Sequence, residues 1–363
     1  MKFEFKKIEI PQPTETEDKG GGYIKWGKDN LYPQYLNSLL KGSSDHSSIL
    51  YNQVQRIVGS GFQSEDPIQR DIIEGMKLNE WLYNAAFNLV LYGGFSTDVI
   101  WGKFDKKVLQ IESVPLDRIR VGFVEEDLET PSLYFYSTEY HKYKYGGRIQ
   151  GMDVIGKWNP KLNKPDHQLY YDFGLNRVGN DIYPVPDYIS GVHWIETSIK
   201  IPQYYLNLIS RNFMVSQIIV VPDLPSEEER EKFERNLKNN FTDVENAGST
   251  LVVYSNSPEQ EVKVHNISGE QGERKYDELL IMTIESISRT WRLPSPILAG
   301  ISLPGNLFGI TDLPGIERLY NKSVIYPKRQ QLLNHFNELN DWFKTPLTDF
   351  TIEDDNIFDE KTT

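Results

Sequence analysis

An amphipathic segment from Glu273 to Trp291, followed at once by two prolines, organises the interpretation of the chain. Charged residues of both signs form one stripe, and apolar residues recur at i, i+4, i+7 as on one face of a helix: Tyr276, Leu280, Ile284, Ile287 and Trp291. The pattern predicts a helix of about five turns, roughly 28 Å long. Neither Pro294 nor Pro296 can donate the next backbone hydrogen bond, so the helix is expected to stop there. One side should pack, and the other should meet water or a partner.

The segment after this helix, from Gly300 to Gly315, is rich in glycine and proline and is longer than an ordinary connection. Its glycines allow backbone conformations closed to other residues. We interpret the helix and this loop as the working part of the molecule, and the rest of the chain as its frame.

The remaining patterns predict helices first and then sheet. Apolar periodicity indicates helices up to Leu40, from Ser47 to Val58 and over most of Asp66–Gly94, whereas alternation with frequent turn signals indicates antiparallel strands from Phe104 to Val192, the last of them at Asp187–Trp194. A helix from Thr197 or Ser198 through Gln217 should follow. An insert then follows, which consists of a strand, a capped helix and two strands and leads to the helix at 273–292. A further long helix is predicted at 313–336, with an interruption near Tyr326-Pro327. The predicted fold class is α+β.

Composition and net charge exclude some classes of function. The chain has 363 residues, 39% of them hydrophobic, which is ordinary for a globular protein. Its net charge of −13 argues against a basic surface for DNA or anionic membranes, although it allows DNA to pass an acidic wall without sticking. It has no cysteines, so disulfides and thiolate metal sites are excluded. With no signal-like or membrane-spanning apolar run, cytoplasmic production is expected.

Catalytic motifs are missing from the sequence. No G-x-S-x-G, H-E-x-x-H, Walker or calcium-loop pattern occurs, and the six histidines are scattered, so neither a metal site nor a cofactor is predicted. His193 and Glu196 form the best local acid–base cluster, for which packing at a strand end is the simpler interpretation. An enzyme built from distant carboxylates, such as a glycosidase or a phosphodiester-cleaving enzyme, stays open.

A series of weak motifs in a fixed order resembles the portal (connector) proteins of tailed bacteriophages over roughly residues 23–335. The most specific is the last: Ile287-x-x-x-Trp291-Arg292-Leu293-Pro294-x-x-Ile297-Leu298-x-Gly300, with Asn306-x-Phe308-Gly309 and Tyr326-Pro327 after it. Earlier motifs are Gly27-x-Asp29-Asn30-x-Tyr32-Pro33, Val58-Gly59-Ser60-Gly61-Phe62, Gly93-Gly94, Val114-Pro115-x-x-Arg118-Ile119-Arg120, Asn212 and Asn246-Ala247-Gly248.

The resemblance implies a portal-type domain plan. In order, it comprises a flexible arm (1–22), a wing of helices and then antiparallel strands (23–197), a first stem helix (198–217), a clip (218–272), a second stem helix (273–292), a tunnel loop (293–312), a helix returning to the wing (313–345) and an acidic tail (346–363). Little chain remains for the helical crown of the family, which is expected to be reduced or missing.

The resemblance also implies a function. Such a protein forms a homo-oligomeric ring, usually of twelve subunits, at one capsid vertex, and double-stranded DNA is packaged and ejected through its channel. Its partners are the major capsid protein, the large terminase subunit and then a head–tail adaptor, with no membrane, cofactor or catalytic residue. The implied sites are the tunnel loop (Leu303, Asn306, Leu307 and Phe308), the stem (Glu278, Glu285, Arg289 and Arg292) and the docking surface of the clip (Glu227, Glu228, Glu231 and Asn246). Besides the enzyme, another virion protein, such as an adaptor or minor capsid subunit, is the alternative.

Overall fold

The chain forms two structural units with an α+β fold. The computed structural model describes residues 10–104, 106–123, 131–142, 152–161, 167–174, 179–210, 217–222, 228, 231–232, 250–255, 263–266, 271–301 and 312–354. Unit 1 comprises Met1–Ile195 and Glu285–Thr363, and unit 2 comprises Glu196–Ile284. Mixed helices and small sheets agree with the predicted fold class.

Unit 1 begins with two short strands and four helices. They are β1 (Glu15–Asp18), β2 (Tyr23–Trp26), α1 (Tyr32–Gly42), α2 (Ser44–Val58), α3 (Pro67–Gly75) and α4 (Leu78–Tyr92). Side-chain caps fix two of the helix starts, because Ser43 accepts from the amide of His46 and Asp66 accepts from that of Ile68. The predicted helices are confirmed, with α2 starting three residues before the predicted Ser47 because Ser43 caps it.

Two antiparallel sheets follow the helices. The strands are β3 (Phe95–Trp101), β4 (Val108–Ser113), β5 (Ile119–Val121), β6 (Leu133–Tyr136), β7 (Asp153–Gly156) and β8 (His167–Asp172), in the orders β4-β3-β8 and β5-β6-β7. Antiparallel sheet was expected here and is confirmed within the described residues. The strand expected at Asp187–Trp194 is wrong, since a 3₁₀ turn at Ile189–Gly191 leads directly into the helix α5 (Val192–Ser210).

The N-terminal arm is more ordered than expected. Strand β1 pairs with β2 in antiparallel register, and the Glu15 carboxylate accepts hydrogen bonds from the backbone amides of Asp181, Ile182 and Tyr183. Three amides on one carboxylate and a paired strand contradict a flexible arm for residues 10–22, whereas residues 1–9 lie outside the described part.

The helix predicted after residue 312 has a π-helical turn in its middle. Helix α7 (Leu313–Tyr320) passes through a π turn (Asn321–Ile325) into α8 (Tyr326–Asn340). Pro327 cannot donate the backbone hydrogen bond of a continuous α-helix, and the wider turn just before it keeps the chain helical. The predicted interruption is therefore a change of helix type near Tyr326 rather than a break.

The described part of the acidic tail, residues 346–354, packs against the rest of unit 1. Thr351 pairs with Gln63 by two backbone hydrogen bonds of 2.8 and 2.9 Å, and Phe350 packs on Phe62. Gly59 is required there, because a Cβ at this position would lie 2.2 Å from the carbonyl oxygen of Glu353. Residues 346–354 are thus fixed against the turn after α2, and residues 355–363 lie outside the described part.

Unit 2 contains a small mixed sheet. Strands β9 (Gln217–Pro222), β10 (Thr250–Ser255) and β11 (Lys263–Asn266) lie in the order β10-β9-β11, with β9 parallel to β10 and antiparallel to β11. Because Gln217 begins a strand, the prediction of a helix through this residue is wrong. The first long helix also starts at Val192 rather than at Thr197 or Ser198, and it continues through Pro202.

The second long helix, α6, spans Gln271–Thr290 and confirms the helix predicted over 273–292 to within two residues. Whether α5 and α6 form a stem, and the intervening sheet a clip, stays a prediction. None of the helices in the described ranges has the length and apolar character needed to cross a membrane.

Candidate functional site

The predicted tunnel-loop residues Leu303, Asn306, Leu307 and Phe308 lie outside the described residues, so the site is defined by the two flanks of that loop. The first flank is the end of α6 with the 3₁₀ turn Pro296–Ala299, and the second is the start of α7. In the second flank, Asp312 caps α7 by accepting from the amide of Gly315 at 2.8 Å.

Helix α6 ends in a Schellman motif, one turn before the prolines. The amide of Leu293 donates to the carbonyl of Ser288 at 2.9 Å, and the amide of Arg292 donates to that of Arg289 at 3.0 Å. Arg292 takes the left-handed conformation, with φ of 53°, at the position where glycine is usual. The chain therefore keeps a side chain at a backbone position that costs about 1 kcal/mol for a residue with a Cβ.

An aromatic cluster anchors the end of α6. The ring of Trp291 lies 4.8 Å from Tyr188 and 5.3 Å from His46, and all three side chains are buried. The indole Nε1 of Trp291 donates to Nδ1 of His46 at 3.2 Å. Burial lowers the pKa of His46 to about 3, so the imidazole is neutral at pH 7 and can accept this bond.

Helix α2 supports both flanks of the loop. On the first flank, Gln53 Nε2 donates to the carbonyl of Trp291 at 3.4 Å and Ser48 Oγ donates to that of Ala299 at 2.6 Å. On the second flank, Arg56 Nη1 lies 2.6 Å from Glu317 Oε1 in an ion pair whose side chains are 5% and 4% exposed. Both ends of the loop are therefore fixed to the same helix.

The contact of α2 with α7 also contains polar atoms without a hydrogen bond. They are Gln53 Oε1, Arg56 Nη2 and the Tyr320 hydroxyl, which lies near Gln53 but outside hydrogen-bond geometry. A buried polar group left without a partner costs about 1–3 kcal/mol. The aromatic anchor of the first flank contains one such atom as well, Nε2 of His46.

Asp187 joins the end of α6 to α8. Its Oδ2 lies 3.0 Å from Arg292 Nη2 and 2.9 Å from Lys328 Nζ, whose side chain is 12% exposed. Burial by itself would raise the pKa of Asp187, but the two cations outweigh burial and lower it. Burial lowers the pKa of Lys328, and Asp187 partly offsets that effect. Among the predicted stem residues, Arg292 thus forms an ion pair within its own chain, with its side chain 57% exposed.

The other stem residues form an exposed charged stripe along α6. Glu278, Glu285 and Arg289 fall within one narrow sector at 100° per residue, and all three are exposed. Arg289 Nη2 lies 3.8 Å from Glu285 Oε2, an exposed i, i+4 pair that contributes about 0–1 kcal/mol. The stripe agrees with its predicted exposure, and its orientation toward a channel stays a prediction.

The predicted apolar stripe of α6 is confirmed at three positions and wrong at one, and its fifth position, Tyr276, lies outside the side chains that are described. Ile284, Ile287 and Trp291 are buried, whereas Leu280, expected on the packing face, is 39% exposed. Met282, on the side of the charged stripe, is 48% exposed. The burial of this face therefore extends only over the part of α6 from Ile284 onward among the side chains described.

Of the predicted clip residues, Glu228 and Glu231 are described and exposed, while Glu227 and Asn246 lie outside the described part. Glu228 Oε1 lies 3.4 Å from Lys232 Nζ, as the i, i+4 spacing predicts. His193, from the acid–base cluster considered above, is exposed in the first turn of α5 and not at a strand end. Across the described ranges, no group of three or more potential metal ligands gathers.

Comparison with known proteins supports the sequence interpretation at the level of the fold. No protein-family model matches the chain. No curated protein matches it either. A solved chain from the neck of an empty GTA particle, computed with C6 symmetry, matches with a TM-score of 0.56 and 12% identity over 89% of this chain and 85% of that one.

Two further structures match at 12% identity. One is the neck of a native GTA particle computed with C12 symmetry, with a TM-score of 0.49 over 90% of this chain and 85% of that one. The other is the virion of a native gene transfer agent (GTA) particle, with a TM-score of 0.48 over 89% and 83%. The match with a TM-score of 0.56 shows that the chain has the fold of a chain in the neck of a GTA particle, which agrees with the resemblance found in the sequence at the level of the fold.

Proposed function

We propose that this protein is a portal-type subunit of a phage-like particle. Copies of it form a ring, of twelve by analogy with the portal family, at one vertex of the capsid. The ring is the passage for double-stranded DNA during packaging and ejection. It has no catalytic residue of its own, and it docks a terminase first and a head–tail adaptor later.

The observation that carries this proposal is the fold similarity to the GTA neck chain. It extends over 89% of this chain and 85% of the other, so it includes both structural units and not a single common motif. That neck structure is symmetric, as its C6 description states. A symmetric neck requires repeated copies of a subunit, and a ring of this chain meets the same requirement.

Exposed apolar side chains on the two long helices support self-association. In α5, Leu206 is 64% and Tyr204 38% exposed; in α6, Met282 is 48% and Leu280 39% exposed. Burying apolar surface contributes about 25 cal/mol per Å², whereas the exposed charge pairs of α6 contribute little. Lateral packing of these helices between neighbouring copies would cover the apolar side chains and supply most of the association free energy.

The loop at residues 302–311 is proposed to face the DNA. Its two flanks are fixed to α2 by Ser48, Gln53 and Arg56, so one helix holds both points at which the loop is attached. Leu303, Leu307 and Phe308 give it apolar contact surface, and Asn306 a neutral polar one. Tight DNA binding requires Lys or Arg side chains that neutralise phosphates and so release the counterions of the DNA. An acidic chain with an apolar constriction would therefore let DNA pass without binding it tightly.

The remaining assignments follow from the same proposal. The sheet of unit 2, with Glu227, Glu228, Glu231 and Asn246, is proposed as the docking surface for the packaging motor and the adaptor. Unit 1 is proposed to contact the major capsid protein. The charged stripe of α6 faces either the channel or the adjacent subunit.

A loop deletion tests the passage of DNA. Shortening residues 301–309 should leave ring assembly unchanged, because the flanks keep their contacts with α2, and should reduce the DNA content of assembled particles. The matched control is the conservative variant Asn306→Gln, which keeps the loop length and should package normally. Full DNA content with the shortened loop would remove the loop from the mechanism.

A further inference from the structure

The β3–β4 hairpin ends in an exposed basic and aromatic tip. Phe104 is 99% exposed, and Lys103, Lys106 and Lys107 lie beside it in the sequence. The chain as a whole carries a net charge of −13, whereas segment 103–107 contains three lysines and one acid, Asp105, so its charge is locally positive. A fully exposed large aromatic side chain is unfavourable in water and is typical of contact surfaces.

The base of this hairpin is held by backbone hydrogen bonds and by ring stacking. The amide of Gly102 donates to the carbonyl of Lys107 at 2.8 Å, and the amide of Val108 donates to that of Trp342 at 2.9 Å. Trp101 stacks on Trp158 with ring centroids 5.2 Å apart. Preorganisation of this kind lowers the entropy that is lost on binding.

Lys106 shows that the charge at the tip is kept at a backbone cost. It adopts the left-handed conformation, with φ of 53°, where glycine or asparagine is usual in loops. Either residue would fit the turn with less strain but would remove a cation. The tip therefore combines a strained lysine, an exposed lysine at 103 and a bare ring at Phe104.

Helix α3 presents the complementary surface. Ile68 is 64% exposed, and the exposed acids Glu65 and Asp71 lie three residues to either side of it. Glu74 is exposed one turn further along the same helix, and one exposed base, Arg70, lies among these acids in the sequence. An isolated apolar side chain flanked by carboxylates matches an isolated ring flanked by ammonium groups in both charge and polarity.

We infer that the hairpin tip of one copy docks on α3 of a second copy. Phe104 contacts Ile68, and Lys103 and Lys106 pair with Glu65 and Asp71. The contact is a property of two copies of this chain and does not depend on a passage for DNA. It also explains why two exposed apolar residues of opposite electrostatic surroundings occur in one unit.

The absence of cysteine from the sequence allows a direct test. Two single variants, Phe104→Cys and Ile68→Cys, are mixed under mild oxidation at a concentration at which the wild-type chain associates. A covalent dimer that contains one chain of each variant is expected, at more than tenfold the yield obtained with Leu109→Cys in place of Phe104→Cys. Leu109 is the matched control, since it is 53% exposed and lies in β4 close to the tip.

Charge reversal provides a second test of the proposed contact. Lys103→Glu with Lys106→Glu should weaken association at least tenfold in light scattering, and adding Glu65→Lys with Asp71→Lys should restore it. Any of three results would overturn the inference. They are a dimer yield equal to that of the Leu109→Cys control, no rescue by the second charge reversal, and a wild-type chain that is monomeric at every concentration. Binding of the tip to duplex DNA or anionic vesicles that the first reversal abolishes while self-association persists would also overturn it. Loss of this contact with rings still present would leave the proposed function intact.

Discussion

The indole Nε1 of Trp291 donates a hydrogen bond of 3.2 Å to Nδ1 of His46, a residue 245 positions earlier in the chain. This bond joins the end of α6 to the start of α2, inside a buried cluster that Tyr188 completes. Since α2 also contacts the second flank of the loop, through Arg56 and Glu317, it serves as the support for both.

Replacing His46 by alanine should lower the free energy of unfolding by about 3 kcal/mol, because it leaves a cavity and removes the acceptor of a buried N–H group. Urea-induced unfolding, followed by tryptophan fluorescence, measures this change. His141→Ala is the control, since His141 is exposed and its loss should change stability by about 0.5 kcal/mol or less. Equal effects of the two substitutions would contradict the anchoring role of His46.

The pH dependence of stability should show a second buried histidine, His335. Burial lowers its pKa to about 3, whereas an unfolded histidine has a pKa of about 6.5. Between these values the unfolded chain binds the extra proton, so acid favours unfolding by about 1.4 kcal/mol per pH unit. The full contribution of the neutral ring is therefore present above about pH 6.5 and is lost progressively as the pH falls toward 3.

Substitution isolates the part of this pH dependence that belongs to His335. His335→Asn should be less stable than the wild type at pH 7, since it disrupts the stack with Tyr170 and the contact with Thr97. The difference between the two proteins should shrink by about 1.4 kcal/mol per pH unit from pH 6 to pH 4. Parallel stability curves, as expected for His141→Asn, would show that His335 is not buried in its neutral form.

Removal of the Glu317 carboxylate should be strongly destabilising. Glu317→Ala leaves the guanidinium of Arg56 buried without its counter-ion, at an expected cost of about 3–5 kcal/mol. Glu80→Ala provides the contrast, because the Lys77–Glu80 pair is exposed, with a separation of 3.8 Å, and is worth about 0–1 kcal/mol. Similar midpoints of urea unfolding for the two variants would mean that the second flank does not rest on this ion pair.

Alanine is usually more stabilising than glycine within a helix, and the left-handed conformation of Arg292 predicts the opposite order at this position. Arg292→Gly should be more stable than Arg292→Ala by about 1 kcal/mol, since both lose the ion pair with Asp187 and only alanine retains a Cβ. Arg289 lies one turn earlier and has a helical backbone. There the order should be the opposite, with Arg289→Ala more stable than Arg289→Gly by about 1 kcal/mol. The same order at both positions, measured by thermal unfolding, would contradict the Schellman motif.

Features that depend on local sequence were predictable. The helices α2 and α3 follow from apolar periodicity, whereas the cap at Ser43, which starts α2 at Ser44, was missed. The alternating strands of unit 1 follow from period-two patterning and turn residues. The exposed charges at Glu278, Glu285 and Arg289 follow from the helical spacing alone.

The end of α6 was only half predictable. Prolines after Arg292 indicate a stop, but the stop lies earlier, in a Schellman motif whose left-handed residue is an arginine. No local pattern marks an arginine for that conformation. Similarly, the start of α5 was misassigned to a strand, although Val192, Ile195 and Ser198 are buried with the spacing of a helix.

The support of the loop flanks could not be predicted, because its contacts are far apart in the sequence. Asp187 lies 105 positions from Arg292, and Arg56 lies 261 from Glu317. In its local sequence each of these residues resembles an ordinary exposed polar residue. Its ion-pair partner is evident only from the folded structure. The chemistry of the loop itself, at Leu303, Asn306, Leu307 and Phe308, stays a prediction.

The most direct test of the proposed portal function is the mass of the purified chain by multi-angle light scattering, with negative-stain images of the same sample. A ring is predicted, with a mass of about twelve times 42.1 kDa and a central hole. Substituting Leu206 and Met282 by serine together should shift this mass toward that of the monomer. A wild-type chain that remains a 42.1 kDa monomer at every concentration, with no rings in the images, would contradict the proposal.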